Sequence, residues 1–202
     1  MGGIMSIILQ GSTSGSITLQ EPAVAGTTVL TLPATSGTIL TTGSSGQSIP
    51  KAALPTGSVL QVAQFTATAS TTIAADSGFF DTSLTGTFTP LFSTSKVLIT
   101  INQQNRAAAS NPSNLGCRLA LLRNGTIINY FSASGSAADA FEITADNGGN
   151  VRLAGYISVS YLDSPATTSA LTYKTQAYAN AGSNVFQNNS SPSYITFMEI
   201  AA

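Results

Sequence analysis

The stretch Val151-Arg-Leu-Ala-Gly-Tyr-Ile-Ser-Val-Ser-Tyr161 decides the fold class of this chain. Its odd-numbered positions carry Val, Leu, Gly, Ile, Val and Tyr, whereas its even-numbered positions carry Arg, Ala, Tyr, Ser and Ser. Successive side chains of a strand point to opposite sides, so this period of two predicts a strand with one buried face. A helix would need apolar residues three and four positions apart, and such spacing is almost absent from the chain.

The same alternation recurs between Gly, Pro, Asn and Ser residues on both sides of this stretch. Asn124-Gly125 lies between two apolar runs and predicts a β-hairpin over Cys117–Phe131, since both turn positions tolerate positive φ. The other predicted strands of this part are Val59–Thr68, Gly86–Thr89, Lys96–Gln104, Ala140–Thr144, Leu171–Tyr178 and Tyr194–Ile200.

About eight antiparallel strands in one domain are typical of a β-sandwich. The longer connections near 104–114 and 162–169 favour a jelly roll or a related Greek key. We therefore predict an all-β protein whose residues 58–202 form an antiparallel, jelly-roll-like β-sandwich.

Residues 1–57 carry shorter β-like segments at Ser16–Leu19, Thr28–Leu32 and Gly37–Leu40, followed by a linker over 43–57. Strands this short bury too little apolar surface to be stable alone. Three identical chains around one axis would supply the missing core and cover the strand edges. We predict a β-rich attachment or shaft module and a homotrimer; the alternative is a flexible, low-complexity tail.

Two of the predicted strands are apolar on both faces, Cys117–Leu122 and Tyr194–Ile200. A strand of a monomeric sandwich needs only one apolar face. The second face is therefore buried either against a neighbouring subunit or under a local loop.

Composition excludes several classes of function. Only 7% of residues are charged, the net charge is −1, and the Lys and Arg residues are scattered, which argues against nucleic-acid binding. The chain has no His and one Cys, Cys117, which we place in the core; catalytic triads and imidazole or cysteine metal sites are therefore absent. The apolar run Ile4–Leu9 is too short for a signal peptide or membrane span.

Two weak patterns could indicate chemistry. Asp139, Glu142 and Asp146 could form a carboxylate pair for glycoside cleavage or a calcium site, but their spacing matches no calcium loop. Ser93-Thr-Ser-Lys96 has the S-x-x-K spacing of serine acyl-transferases without their companion motifs. We expect no enzyme activity, no cofactor and no metal.

Binding is the remaining class of function. Tyr156 and Tyr178 fall on the polar faces of their strands, where a phenol ring could stack on sugars. Asn184 and Asn188 lie in the polar segment Asn180–Ser193, which could offer amide groups to a glycan. Ordinary cross-strand pairs and an ordinary loop are the structural alternatives.

Several sequence words resemble virion fibre proteins of tailed bacteriophages, particularly those of cyanobacteria and other aquatic bacteria. In the first part these words are Gly15-Ser-Ile-Thr-Leu-Gln-Glu-Pro22, Thr31-Leu-Pro33 and Gly37-Thr-Ile-Leu40. In the second part they are Pro55–Val62, Ser95–Ile99, Leu121–Gly125, Leu162–Pro165, Leu171–Lys174 and Ile195–Ala201.

The resemblance implies a non-enzymatic structural protein of the virion. In such proteins the N-terminal part attaches to the particle or forms a trimeric shaft, and the C-terminal sandwich points outward. We expect a trimeric short tail fibre that contributes to attachment to host-surface glycans. The alternatives are a head fibre or capsid decoration protein that clamps capsid subunits, and a polysaccharide depolymerase acting through the acidic residues above.

Overall fold

The computed structural model describes residues 7–10, 12–19, 54–75, 78–110, 115–131, 141–143 and 149–202. These residues form strands and one 3-10 turn at Asn188–Ser190. The strands are β1 Ile7–Gln10, β2 Ser16–Leu19, β3 Val59–Ala67, β4 Thr71–Ala74, β5 Phe80–Phe88, β6 Lys96–Ser110, β7 Leu115–Arg123, β8 Thr126–Phe131, β9 Phe141–Ile143, β10 Asn150–Asp163, β11 Leu171–Ala179, β12 Ser183–Phe186 and β13 Ser193–Ile200. The predicted all-β class is confirmed.

The chain divides into two compact units, Met1–Ser48 and Ile49–Ala202. In the first unit β1 and β2 pair antiparallel, and β2 coincides with the predicted strand Ser16–Leu19. The predicted strands Thr28–Leu32 and Gly37–Leu40 lie outside the described residues.

A six-stranded antiparallel sheet of the second unit is organised around β6. One edge of β6 pairs first with β13 and then with β12, which continue outward to β3 and β4. The other edge pairs with β10 over all 14 residues of that strand, from Asn150 opposite Ser110 to Asp163 opposite Val97. The alternating stretch Val151–Tyr161 thus lies at the edge of this sheet.

A five-stranded antiparallel sheet faces it, with β7 and β11 at its centre. One edge of β7 pairs with β9 and then β8, the other pairs with β11, and β11 pairs with β5. The predicted hairpin is confirmed: β7 and β8 are joined at Asn124 and Gly125, with φ of 49° and 83°. This turn is also hydrogen-bonded to β11, because Asn124 Oδ1 accepts from the Thr172 backbone N–H at 2.9 Å.

The inner faces of the two sheets form one core, with Phe197 of β13 at its centre. Its ring centroid lies 5.2 Å from that of Tyr173 and 5.3 Å from that of Phe88, both on the opposite sheet. Phe65 of β3 meets it edge-on at 5.9 Å. Cys117 is buried in the same core, as predicted.

Several sequence boundaries differ from the structure. β5 spans Phe80–Phe88 rather than only its last residues, and β6 continues to Ser110. The segment taken as a polar loop contains β12, which pairs on one side with β6 and on the other with β4. The strands β4 and β12 have only four residues each. Strands this short alternate too few times for their period of two to be recognised in the sequence.

The second faces of the two doubly apolar strands have different environments. Ala120 and Leu122 of β7 are buried within the single chain. Met198 and Ile200 of β13 are only half-buried. Side chains of the neighbouring strands β8 and β11, rather than the expected loop or subunit, thus cover β7, whereas β13 retains apolar surface on its outer face.

Candidate functional site

The outer face of the five-stranded sheet carries a cluster of aromatic side chains. The Phe79 ring centroid lies 5.6 Å from that of Tyr130 and 6.0 Å from that of Tyr178. The Arg118 guanidinium carbon lies 4.7 Å from the centre of the Tyr178 ring, in the geometry of a cation–π contact. We call Phe79, Arg118, Tyr130 and Tyr178 the aromatic cluster.

Strand register explains why these residues meet. Tyr178 of β11 is directly opposite Arg118 of β7. Ala120, two positions along β7 and on the same face, is opposite Tyr130 of β8. Three adjacent strands therefore place their side chains on one patch, and the small Ala120 leaves room for the rings above it.

Polar side chains extend this patch along β11. The Asp81 carboxylate accepts from Lys174 Nζ and from Gln176 Nε2, each at 2.8 Å. Burial raises the pKa of Asp81, but the hydrogen bonds from Lys174 and Gln176 and the Lys174 charge outweigh it and hold that pKa below its usual value. Asp81 is thus a carboxylate at neutral pH.

An open cavity of about 630 Å³ adjoins the polar group and reaches the aromatic cluster at Phe79 alone. It is lined by β4 and by Phe79, Phe80, Asp81, Lys174 and Gln176. Aromatic rings beside hydrogen-bond donors and acceptors suit a ligand that has apolar C–H faces and hydroxyl groups around its ring, such as a sugar.

Of the four residues predicted to contact a receptor, only Tyr178 belongs to this patch. Tyr156 lies on the outer face of the opposite sheet, on β10, with 51% of its surface exposed. Both tyrosines occupy the polar faces that the alternation predicts. They point away from the core on opposite sides of the sandwich.

The two asparagines do not join either tyrosine. Asn184 is fully buried on β12 and donates from Nδ2 to the Gly116 carbonyl at 3.1 Å, so it offers no surface contact in this chain. Asn188 lies in the 3-10 turn, where its backbone N–H donates to Gln104 Oε1 at 2.6 Å. The expectation of surface amides failed for Asn184 because β12 inserts between two strands.

Sequence reasoning missed Phe79 and Arg118. Phe79 lies just before β5, outside any alternating stretch, and Arg118 was one of several scattered cations. The register of β7 against β11 places Arg118 opposite Tyr178, and that of β5 against β11, with Phe80 opposite Ala177, brings Phe79 beside the same ring.

The outer face of the six-stranded sheet carries a different surface. Register places Val62 of β3 beside Met198 of β13, Met198 beside Leu98 of β6, and Leu98 beside Leu162 of β10. Val62 and Leu162 are 59% and 48% exposed. These four residues form an apolar row across four strands.

The predicted acidic group falls largely outside the described residues. Asp139 and Asp146 lie beyond them, and Glu142 is described only as part of β9. Among the described residues, no group of three His, Cys, Asp or Glu side chains could hold a metal ion. In the same part of the chain, no helix has the length and apolarity needed to cross a membrane.

Comparisons with known proteins show faint structural likenesses. No family model and no curated protein matches the chain. A structure of infectious bursal disease virus, Gx strain, aligns with 72% of this chain and 39% of its own chain at 13% identity and a TM-score of 0.32.

Two further structures span different parts of the chain. Latent PorU from Porphyromonas gingivalis aligns with 73% of this chain and 14% of its own at 14% identity and a TM-score of 0.28. The virion of Kashmir bee virus aligns with 99% of this chain and 91% of its own at 12% identity and a TM-score of 0.20. Likenesses of this size establish neither family nor function.

Proposed function

We propose that this chain is a non-enzymatic structural protein of a tailed-phage virion, a trimeric tail fibre that helps attach the particle to host-surface glycans. The assignment to a virion rests on the sequence words shared with phage fibre proteins. The observation that carries the binding role is the aromatic cluster beside Asp81, Lys174 and Gln176 on an open sheet face.

The patch binds by stacking and hydrogen bonding rather than by charge attraction. A pyranose ring lies against Tyr178 or Tyr130 through its C–H face, while Gln176 and the Asp81 carboxylate meet hydroxyls at its rim. The Asp81–Lys174 ion pair adds no net charge to the patch. Each contact is weak, and three copies on one trimer axis supply avidity.

The test is retention of the full chain on immobilised neutral bacterial polysaccharides. We expect Tyr178→Ala to lower the apparent affinity about tenfold, as loss of one stacking contact repeated in a trimer would. Tyr194→Ala is the matched control, because it removes a half-buried tyrosine from the outer face of the other sheet. Equal retention of both variants and the parent would contradict the binding role.

A second candidate, a head fibre or capsid decoration protein, is favoured by the apolar row. Exposed apolar side chains in a row are typical of contacts between proteins. Met198→Ser would reduce incorporation into particles if the row docks on a capsid, while Tyr178→Ala would leave incorporation unchanged. The opposite pattern, normal incorporation and poor attachment, supports the fibre.

A further inference from the structure

The free edge of β10 is the longest regular strand edge in the described part of the molecule. β10 pairs there with β6 alone, and that pairing runs over 14 residues without a register shift. Asn150–Leu162 contains no proline and a single charged residue, Arg152. A long, regular edge with a single charge presents unpaired N–H and C=O groups to any other strand.

The other described edge strands carry features that discourage such pairing. β4 and β9 have only four and three residues. β5 shifts register against β11 and holds Ser83 at a φ of 67°, and β8 shifts register against β7. β3 shifts register near its start, at Val59 opposite Ile200. Short or bulged edges are common protection against edge-to-edge association, which β10 lacks.

A groove of about 320 Å³ follows this edge. It is lined by Asn105 of β6 and by most of the segment Leu153–Val159. At Gly155, which pairs with Asn105, a methyl group would meet no atom within 4 Å. The inner face of β10 therefore has a notch at Gly155, between the half-buried Leu153 and the buried Ile157.

The alternation of β10 between its two faces is kept when the strand is reversed about Tyr156. On the inner face, equal steps to either side pair Gly155 with Ile157, Leu153 with Val159 and Val151 with Tyr161. On the outer face they pair Ala154 with Ser158 and Arg152 with Ser160. A second copy placed antiparallel by a two-fold axis through Tyr156 would thus set apolar residues opposite apolar ones and no like charges opposite each other.

We propose that β10 pairs antiparallel with β10 of a second copy of this chain, with Tyr156 opposite Tyr156. The axis is perpendicular to the sheet, so inner faces stay aligned and one continuous sheet crosses the dimer. Ile157 of each copy fills the notch beside Gly155 of the other. This contact is separate from the trimer of the proposed function and does not depend on it.

Disulfide formation in the full chain tests both the contact and its register. Directly opposed residues of an antiparallel pair have Cβ atoms about 4.5–5.5 Å apart, close to disulfide reach. With oxidised glutathione, we expect Tyr156→Cys to give a disulfide-linked dimer on a non-reducing gel. The native Cys117 is buried and does not contribute.

Ser160→Cys is the matched control, since Ser160 faces Arg152 across the axis and the two introduced thiols would lie far apart. Ser160 is exposed on the same strand face as Tyr156. An equal mixture of Arg152→Cys and Ser160→Cys chains should link only into mixed dimers. The proposal is overturned if Tyr156→Cys chains form no linked dimer, or if Ser160→Cys chains link equally well. A trimer held together only by residues 1–57 would give no Tyr156→Cys dimer.

A charge reversal provides a second test without cysteines. Ala154→Lys with Ser158→Lys sets like charges opposite each other twice across the axis, whereas Ala154→Lys with Ser158→Glu sets opposite charges there. We expect the dimer dissociation constants of these two variants to differ by about tenfold in sedimentation at low salt. Equal constants would contradict the register.

Discussion

The two sheets of the sandwich differ in how fully the chain covers them. In the five-stranded sheet, β7 is buried on both faces, and its outer face lies under rings and long polar side chains from β8 and β11. In the six-stranded sheet, the outer face exposes the apolar row and β10 has a free edge. The central strand of one sheet is thus covered within the chain, whereas the other sheet exposes an apolar row across four strands.

This difference shows that an apolar pattern on both faces of a strand has no single meaning. The strands β7 and β13 have it equally in sequence. Cross-strand neighbours decide the outcome: Tyr130 and Tyr178 cover the first, while Val62 and Leu98 continue the apolar surface of the second. Predictions that separate the two sheets follow from this contrast.

The largest effect is expected at an ion pair that joins the sheets. Asp163 at the end of β10 accepts from Arg123 Nη1 of β7 at 2.9 Å and from the Tyr173 hydroxyl of β11 at 2.7 Å. Asp163→Asn should lower the free energy of unfolding by about 2–3 kcal/mol, less than a fully buried pair loses, because the Arg123 side chain keeps 30% exposure. Urea denaturation measures the change.

The matched control for that prediction is Asp81→Asn. The Asp81–Lys174 pair has a similar distance of 2.8 Å but lies within one sheet on the exposed surface. Its loss should cost less than about 1 kcal/mol. Burial together with the Asp163 hydrogen bond also raises the pKa of Tyr173, so that phenol stays protonated across the neutral range. If Asp163→Asn and Asp81→Asn lower the free energy of unfolding equally, the ion pair between the sheets stabilises the protein no more than the surface pair does.

Two glycines give the next contrast. A methyl group at Gly86 of β5 would lie 2.6 Å from the Phe65 ring and 2.8 Å from the Phe197 ring, whereas one at Gly155 of β10 meets nothing. Gly86→Ala should therefore destabilise the protein by about 1–3 kcal/mol through overpacking. In thermal denaturation of the monomer, at concentrations below the dimer dissociation constant, Gly155→Ala should be neutral or slightly stabilising. A destabilised Gly155→Ala monomer would show that a group of the same chain already fills the notch.

Much of this contrast lies beyond sequence reasoning. Alternation predicts β10 and its apolar face, and Asn124-Gly125 predicts the hairpin, because both signals are local. The burial of Asn184 and the meeting of Phe79 with Tyr178 depend on which strands become neighbours. Those neighbours come from pairings between residues far apart in the chain, about which local periodicity carries no information.

A smaller effect depends on pH and concerns Glu199 of β13. Burial raises the pKa of Glu199, but hydrogen bonds from the Leu91 and Phe92 amides and from the Gln61 side chain outweigh it and lower that pKa. A carboxyl with a lowered folded pKa stabilises the fold above its unfolded pKa, and this contribution is lost as pH falls through the folded value.

Glu199→Gln should therefore cost about 1 kcal/mol at about pH 7, since the amide loses the charge that three donors face. The difference from the parent should shrink as the pH falls through the lowered folded pKa of Glu199, because the parent carboxyl then becomes protonated as well. Guanidinium denaturation at a series of pH values follows this change. A difference that is constant with pH would assign the loss to packing instead of charge.

The smallest effect on the free energy of unfolding is expected for a substitution in the apolar row. The same substitution tests most directly whether the row binds a partner. Val62 is largely exposed, so Val62→Thr removes little buried surface and should change the free energy of unfolding by less than about 0.5 kcal/mol. Ile99→Thr, on the buried face of β6, is the matched control and should cost several times more. If Val62→Thr nevertheless weakens assembly or particle incorporation, the exposed apolar row acts through a partner. If it costs as much stability as Ile99→Thr, the row is already covered within the chain, and the six-stranded sheet is as self-contained as its neighbour.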